Sequence, residues 1–351
     1  MDQIKTFYKN KKVLITGVTG FKGSWLALIL LQFGAKVYGI GHNPNRNKKL
    51  FYDLNLQKKI KLKIIDINNY DSLLNYSKKI KPVIIFHLAA QPLIYESYRS
   101  PYETINVNSL GTLNILDISK NLKSLKSLIC VTSDKCYKSN NSTRGFVEDD
   151  KLGGEDPYSA SKAAAEIFIN SYSKTYFDKL NIGVASARAG NVIGGGDWSL
   201  NRLIPDIVKS LVNNKKITIR NPNFNRPWQH VLEPLYGYLL LGIKLYQKPK
   251  KFSGAYNFGP RPNTVTSVLE VVKHLIKFWG KGSCHVKKSN FYEQKNLQLN
   301  ITKAKKLLKY NPKLNIKESI MYTAEWYKSI LIEKKNPYKF TTYQIRKFFN
   351  L

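Results

Sequence analysis

One stretch near the start of the chain restricts the fold more than any other. Lys11 and Lys12 lead into Val13-Leu14-Ile15-Thr16, a short β-branched apolar run of the kind that forms a buried strand. Gly17-Val18-Thr19-Gly20-Phe21-Lys22-Gly23 follows, then an apolar helical run over 24–33, closed by Gly34-Ala35, and a second strand over 36–40. Strand, glycine turn, helix and strand within about 30 residues form a βαβ unit. The glycines permit a tight turn and bring backbone N–H groups up to a diphosphate at the helix N-terminus. This frame predicts a dinucleotide-binding α/β fold.

Further strands are expected over 63–67, 83–90, 125–132 and 182–187, with a helix over 102–120. The acidic residue that normally ends the second strand is missing. Gly41-His42-Asn43 stand there, followed by Arg46 and Lys48, so this position leaves NAD against NADP open. Asp66 ends the third strand and suits either an adenine amino group or a strand-end turn. Leu88-Ala89-Ala90 are small enough at a strand end to leave room for a ligand, whereas His87 in the same apolar run reads as a core residue. Ser133-Asp134-Lys135-Cys136-Tyr137 concentrate polar groups at the end of the fifth strand, where open α/β sheets bind ligands.

Asp156-Pro157-Tyr158-Ser159-Ala160-Ser161-Lys162 read as a helix start, with Asp156 as cap and Pro157 in the first turn. Tyr158 and Lys162 then share one face, one turn apart. An ammonium beside a phenol is expected to lower its pKa and to make the pair a general base. Taken alone, the spacing reads as two exposed helix residues, and the rest of the chain has to raise the functional reading.

After Arg188 the texture changes. Gly190-Asn191-Val192-Ile193-Gly194-Gly195-Gly196-Asp197-Trp198 is a glycine-rich loop, followed by a helix over 202–213, a short strand over 217–220, a helix to 244, and a strand over 255–259 that returns to the main sheet. Helices over 265–279 and 317–330 and a short strand over 284–287 complete the chain. The expected architecture is a doubly wound parallel sheet with a smaller C-terminal lobe. The two are interleaved: 1–187 with about 228–260 form the dinucleotide-binding domain, and 188–227 with about 261–351 form the lobe.

Composition narrows the function classes. Lys and Arg number 57 against 23 Asp and Glu, a net charge of +34. The lysines are spread along the chain with no arginine-rich arm, so a solvated basic surface is expected rather than a nucleic-acid interface. No apolar run is long enough to span a membrane and the first ten residues carry no apolar signal core, which points to the cytoplasm. Cys130, Cys136 and Cys284 suit neither a disulfide framework nor a zinc site, and no metal is expected.

The glycine turn, the Phe86-His87-Leu88-Ala89-Ala90-Gln91 strand end, the Thr132-Ser133-Asp134-Lys135-Cys136-Tyr137 strand end and the Tyr158-Ser159-Ala160-Ser161-Lys162 helix together resemble the extended short-chain dehydrogenase/reductases that modify nucleotide-activated sugars. The stretches 17–25, 188–205 and 226–233 resemble most the branch of that family's 4,6-dehydratases that act on CDP-glucose. The likeness runs from about residue 11 to the C-terminus.

It implies tightly held NAD, bound by Gly17, Thr19, Gly20, Phe21, Gly23, Asp66, Ile67, Leu88, Ala89, Ala90, Asn108, Tyr158 and Lys162. It implies that Tyr158 takes the 4-hydroxyl proton, that Lys162 holds the phenolate, and that Ser133 bonds the same hydroxyl. Asp134 would be the acid for the departing 6-hydroxyl and Lys135 the base at C5, made neutral by burial beside Lys162. Substrate contacts would fall to Gln91, Asn191, Asp197, Trp198, Arg202 and Arg226. Val18 stands where the family often has His, which bears on cofactor affinity. A homodimer or higher oligomer through the helices near 102–120 and 158–175 is implied as well. The alternatives are a dehydratase or epimerase for another nucleotide sugar (dTDP, GDP or UDP) and a non-catalytic basic module that binds nucleic acid or senses NAD.

Overall fold

The structure, a computed structural model, describes residues 2–42, 50–139, 144–219, 221–261, 266–286 and 298–351. Arg46 and Lys48, expected beside the second strand, lie outside the described residues. Seven strands form the main sheet: β1 (Lys12–Thr16), β2 (Lys36–Gly41), β3 (Lys61–Ile64), β4 (Ile84–His87), β5 (Ser127–Val131), β6 (Gly183–Ala189) and β7 (Gly254–Phe258). Their order is β7-β6-β5-β4-β1-β2-β3, and every pairing is parallel. The order reverses between β1 and β4, and the crevice at their carboxyl ends is where such sheets bind ligands.

Central strands read as continuous apolar runs because both faces are covered. β4 and β6 are buried along their full length. β3 is the exposed edge and starts two residues before the expected run. An edge tolerates Lys61 and Lys63, and the chain leaves the ladder at Ile65, in a turn where Asn68 N–H donates to Asp66 Oδ1 at 2.9 Å. β7 pairs with β6, with Tyr256 opposite Ala187, so the return to the main sheet occurs as expected.

Helix α1 (Phe21–Gln32) begins before Ser24 because Gly20 takes the N-cap position. It is buried nearly all round, from Gly23 to Leu30. The 101–120 helix is continuous but not uniform. An α segment over Pro101–Ile105 passes through a π turn over Asn106–Leu110 into α2 (Gly111–Lys120). Helix α3 (Pro157–Tyr172) starts as read: the Asp156 carboxylate accepts from Ser159 N–H at 2.9 Å. Then come α4 (Leu203–Val212), α5 (Leu232–Gln247), α6 (Val268–Trp279), α7 (Ile316–Leu331) and α8 (Pro337–Phe349).

Helices over Asp2–Tyr8 and Tyr70–Ile80, and α8, were not expected from the sequence, although Tyr70–Ile80 and α8 each bury one face. Each is held from outside its own sequence. Tyr8 OH, for instance, donates to Leu239 O at 2.8 Å.

Outside the main sheet, Val192–Ile193 pairs with Gln229–His230, Ile217–Ile219 with Cys284–Val286, and Asn225–Arg226 with Thr266–Ser267. One apolar cluster nevertheless runs from Trp25 under the sheet to Trp326 on α7. The glycine-rich loop is trapped between these tryptophans. Trp25 Nε1 donates to Gly195 O at 3.0 Å, and a Cβ at Gly195 would lie 2.0 Å from Trp326 Cγ. Gly195→Ala is therefore expected to lose roughly 1–3 kcal/mol, read as a lower urea midpoint at constant m-value. An unchanged midpoint would show that Trp326 yields.

Candidate active site

The cofactor side of the crevice is built by close backbone approach. Gly17 has φ +69°, and a Cβ there would lie 2.6 Å from Ala89 N. A Cβ at Gly23 would lie 2.2 Å from Gly17 O, so the first turn of α1 rests on the glycine turn. Gly20 supplies no side-chain acceptor, and the leading N–H groups of α1 have no side-chain cap. This bare end of a twelve-residue helix suits a diphosphate. Ala89 N–H donates to Thr16 Oγ1 at 3.3 Å, and Leu88, Ala89 and Ala90 line a half-buried floor. The residues present therefore fit a dinucleotide.

Other expected contacts take supporting positions. Thr19 is buried against Gly41, where a Cβ would lie 2.6 Å from its Cγ2. Val18 is a core residue packed on Gly39. Phe21 lies under Gly194. Ile67 sits under α2, against Gly111, and the exposed Asp66 forms the strand-end turn. His87 is a core residue, as read: Thr16 Oγ1 lies 2.7 Å from Nδ1, Thr112 Oγ1 lies 3.1 Å from Nε2, and burial pushes its pKa down to about 3.

Asn108 occupies the π turn, a feature often met at functional sites. Its amide donates to Gln91 O at 3.1 Å and to Ser161 Oγ at 2.9 Å, and accepts from Gln91 N–H at 2.8 Å. It thereby ties the end of β4 to α3. The Gln91 side chain bonds Leu93 and Thr104, bracing its own turn.

Ser133 caps a 3₁₀ turn over Asp134–Cys136 at the end of β5. Its hydroxyl donates to Asp134 Oδ1 at 3.0 Å and accepts from Lys135 N–H at 3.2 Å. Asp134 is 4% exposed. Burial raises its pKa against the opposing pull of Lys135, Ser133, Arg226 and Lys22. It thus holds a proton more firmly than an exposed carboxylate does, which suits an acid. Asp134 Oδ2 is buried without a hydrogen-bond partner and faces Gly190, where a Cβ would lie 2.8 Å away.

Tyr158 and Lys162 are both buried on one face of α3. The expected lowering of the phenol is not found. Burial pushes Tyr158 up to about 12, countered first by a hydrogen bond with Ser133. The same burial pulls Lys162 down to about 8. Desolvation penalises both charged forms, so it moves the two groups in opposite directions. Lys135 also differs from expectation. It is half-buried beside Asp134 rather than buried beside Lys162. Burial also depresses Lys22, to about 8, with Arg202 and Lys162 adding repulsion and Asp134 and Asp197 opposing it.

On the lobe side, Arg202 Nη1 donates to Asp197 Oδ2 at 3.1 Å. The position is the N-cap of α4, so Arg202 is an ion-paired rim residue rather than a solvated helix residue. Trp198 packs edge-on against Tyr327 at 5.2 Å. Arg226 is 4% exposed and donates to Asn225 O at 2.9 Å. Asn191 joins the two lobe strands through its backbone, its carbonyl accepting from Gln229 N–H at 3.1 Å. Across the cleft Lys22, Lys135, Lys162, Arg202 and Arg226 act on Asp134 or on one another, with Asp134, Asp197 and, behind Lys162, Glu166 as carboxylates acting on them. Such an excess of positive charge, with Lys162 and Arg226 buried and Lys22, Lys135 and Arg202 half-buried, suits an anionic ligand.

Lys22, Glu166 and Arg188 were not singled out from the sequence. Lys22 did carry a signal: a cation in the first turn of a helix opposes the macrodipole. Glu166 did too, since it continues the Tyr158–Lys162 spacing by one more turn.

The family model described as GDP-mannose 4,6 dehydratase matches residues 14–323. The CDP-glucose 4,6-dehydratase of Salmonella typhimurium is 40% identical over 332 residues, covering 93% of this chain and 92% of that protein. Among solved structures, the epimerase Mth375 of Methanothermobacter thermautotrophicus has a TM-score of 0.83 at 23% identity, covering 99% of this chain and 97% of that one. The dTDP-glucose 4,6-dehydratase of Bacillus anthracis, in complex with NAD, has a TM-score of 0.76 at 24% identity, covering 91% and 97%. At these identities the structural likeness is one of fold.

The depressed lysines can be read directly. In the reductively ¹³C-methylated protein, the Lys22 and Lys162 signals should titrate near pH 8, about two units below surface lysines. Titration of both together with the surface set would contradict the burial argument.

Proposed function

We propose a function from one premise: the chain belongs to the GDP-mannose 4,6 dehydratase family. It is a hydro-lyase that converts CDP-glucose to CDP-4-keto-6-deoxyglucose and water. The observation that carries the reading is Ser133-Asp134-Lys135 beside Tyr158 and Lys162 in one cation-rich cleft. An epimerase needs no acid at C6, so a buried, proton-holding Asp134 favours a dehydratase. The extended likeness to a CDP-glucose 4,6-dehydratase favours CDP-glucose over other nucleotide sugars.

The cofactor is NAD, which when bound supplies the reversible acceptance and return of hydride at the sugar. Its diphosphate is read onto the glycine turn and the uncapped start of α1. Tyr158 takes the proton of the 4-hydroxyl, and Ser133 bonds the same oxygen. A 4-ketone makes the C5 proton acidic. Lys135 is the candidate to remove it, and Asp134 protonates the departing 6-hydroxyl. Arg202 and Arg226 suit the substrate diphosphate, with Lys22 adding charge from the cofactor side. Asp197 orients Arg202, and Trp198 and Asn191 are read as substrate contacts from the family likeness.

In this reading 1–187 with about 228–260 form the cofactor domain, and 188–227 with about 261–351 form the substrate lobe. The pairing of β7 with β6 supports that division. The enzyme is read as a cytoplasmic homodimer. Exposed Tyr102, Ile105 and Leu110 on the 101–120 helix, with Ile167 on α3, offer an apolar face that supports the dimer. No helix among the described residues is long and apolar enough to cross a membrane.

The test incubates the protein with NAD and CDP-, dTDP-, GDP- or UDP-glucose and follows loss of one water by mass. Loss from CDP-glucose is expected. Loss from another sugar alone would overturn the specificity. In deuterated water, Lys135→Ala should slow exchange at C5 by roughly 100-fold or more, and Asp134→Asn should slow water loss by a similar factor. C5 exchange at the wild-type rate in Lys135→Ala would remove Lys135 as the base.

A further inference from the structure

Beneath the catalytic face of α3 lies a buried ion pair that no step above uses. Glu166 is one helical turn beyond Lys162 and two beyond Tyr158, so the three share a face. Glu166 is 3% exposed and Arg188 4%. Arg188 Nη2 donates to Glu166 Oε2 at 2.7 Å, and Ser186 Oγ donates to the same oxygen at 2.7 Å. Thr132 Oγ1 donates to the other oxygen, Oε1. Ser186 and Arg188 lie on β6, and Thr132 immediately precedes Ser133. Arg188 reaches on to Tyr137 OH and Glu148 O, each at 2.8 Å.

Stability alone is a weak account of such a pair. Desolvating two charges is expensive, and apolar replacements of similar volume are often as stable. The neighbour that stands to gain is Lys162. It is buried, and among the described residues it makes no hydrogen bond or ion pair. The titratable groups that act on it are Lys22 from α1, His87 from β4, Cys130 from β5, Cys136 from the 3₁₀ turn and Glu166 on its own helix, which also carries Tyr158. Burial keeps His87 neutral and both thiols protonated. Glu166 is therefore the anion in the set.

We propose that Glu166, clamped by Arg188, is a positioning residue for the reaction proposed above: one helical turn from Lys162, its carboxylate favours the charged ammonium by its field without bonding it, and its bonds to Thr132 and Ser186 fix α3 in register with Ser133. Burial draws Lys162 down to about 8, and Glu166 is the largest influence opposing it. The Lys162 charge is present below its pKa and lost above it. Removing the carboxylate lowers that pKa further, so the alkaline limit of activity moves to lower pH.

The experiment measures kcat against pH for Glu166→Gln, for Glu166→Asp and for the double variant Glu166→Gln/Arg188→Met, which leaves no stranded cation. For both neutral variants the alkaline limb should move down by about one pH unit, with KM for CDP-glucose within about twofold of wild type. Glu166→Asp should restore most of the limb. A wild-type limb in either folded neutral variant overturns the proposal, since a merely structural pair would change stability without moving it. Failure of both to fold also counts against it, by making the pair a requirement of folding. If the wild-type protein does not turn over CDP-glucose, the functional reading fails by itself. The ¹³C-methyl signal of Lys162 then reports the same shift without substrate: a midpoint unmoved in the variants overturns the proposal, and a drop of about one unit supports it.

Discussion

The contact between Gly17 and the backbone of Ala89 sets where the rest of the site must go. No side chain larger than hydrogen fits there, because a Cβ would lie 2.6 Å from the Ala89 nitrogen. The exit of β1 is thereby pressed against the exit of β4, at the point where the strand order reverses. Gly23 then presses the first turn of α1 onto the same turn, and the start of that helix has no side-chain cap. Backbone N–H groups thus face the crevice from a rigid support. The ends of β5 and β6 open beside them, which brings Ser133 and the Gly190 loop to the same edge.

Buried charge is the second constraint. Five cations meet across the cleft, and burial pushes Asp134, a carboxylate among them, toward its neutral form. The same desolvation raises Tyr158 to about 12 and lowers Lys22 and Lys162 to about 8. These shifts have one cause and opposite directions, because burial disfavours whichever form carries charge. A diphosphate would supply the missing negative charge. Glu166 sits one layer deeper, where Arg188, Ser186 and Thr132 occupy both of its oxygens. The face of α3 that carries Tyr158 and Lys162 therefore rests in part on a polar network.

Some of this was legible in the chain itself. A β-branched run followed by glycines at 17, 20 and 23 has few solutions other than a strand, a close turn and a buried helix, and β1, α1 and β2 form in that order, with α1 starting three residues earlier than read. Asp156 and Pro157 marked the start of α3 because capping is a local matter. His87 could be read as core from its apolar setting. The edge strand β3 was displaced by two residues, since exposure lets lysines into the ladder and blurs the pattern. Helix α8 was hidden for a related reason: it is largely polar and is held by Asn336 at its start and by Phe348 and Phe349 against other elements.

What the amino-acid order determined by itself was local: which segments extend, which coil, where glycine is obligatory, and that Tyr158 and Lys162 share a face. Tertiary structure alone decided the charge states. What surrounds a residue depends on the fold, so Lys22, half-buried like Lys135, became a member of the site beside Arg202, Lys162 and Asp134. It also decided that Asn108 and Gln91 brace the crevice and that Arg202 pairs with Asp197. The helix spacing that found Tyr158 and Lys162 extends to Glu166, but its partners Arg188, Ser186 and Thr132 lie 20 or more residues away in the chain. Only the parallel pairing of β5 with β6 brings them together.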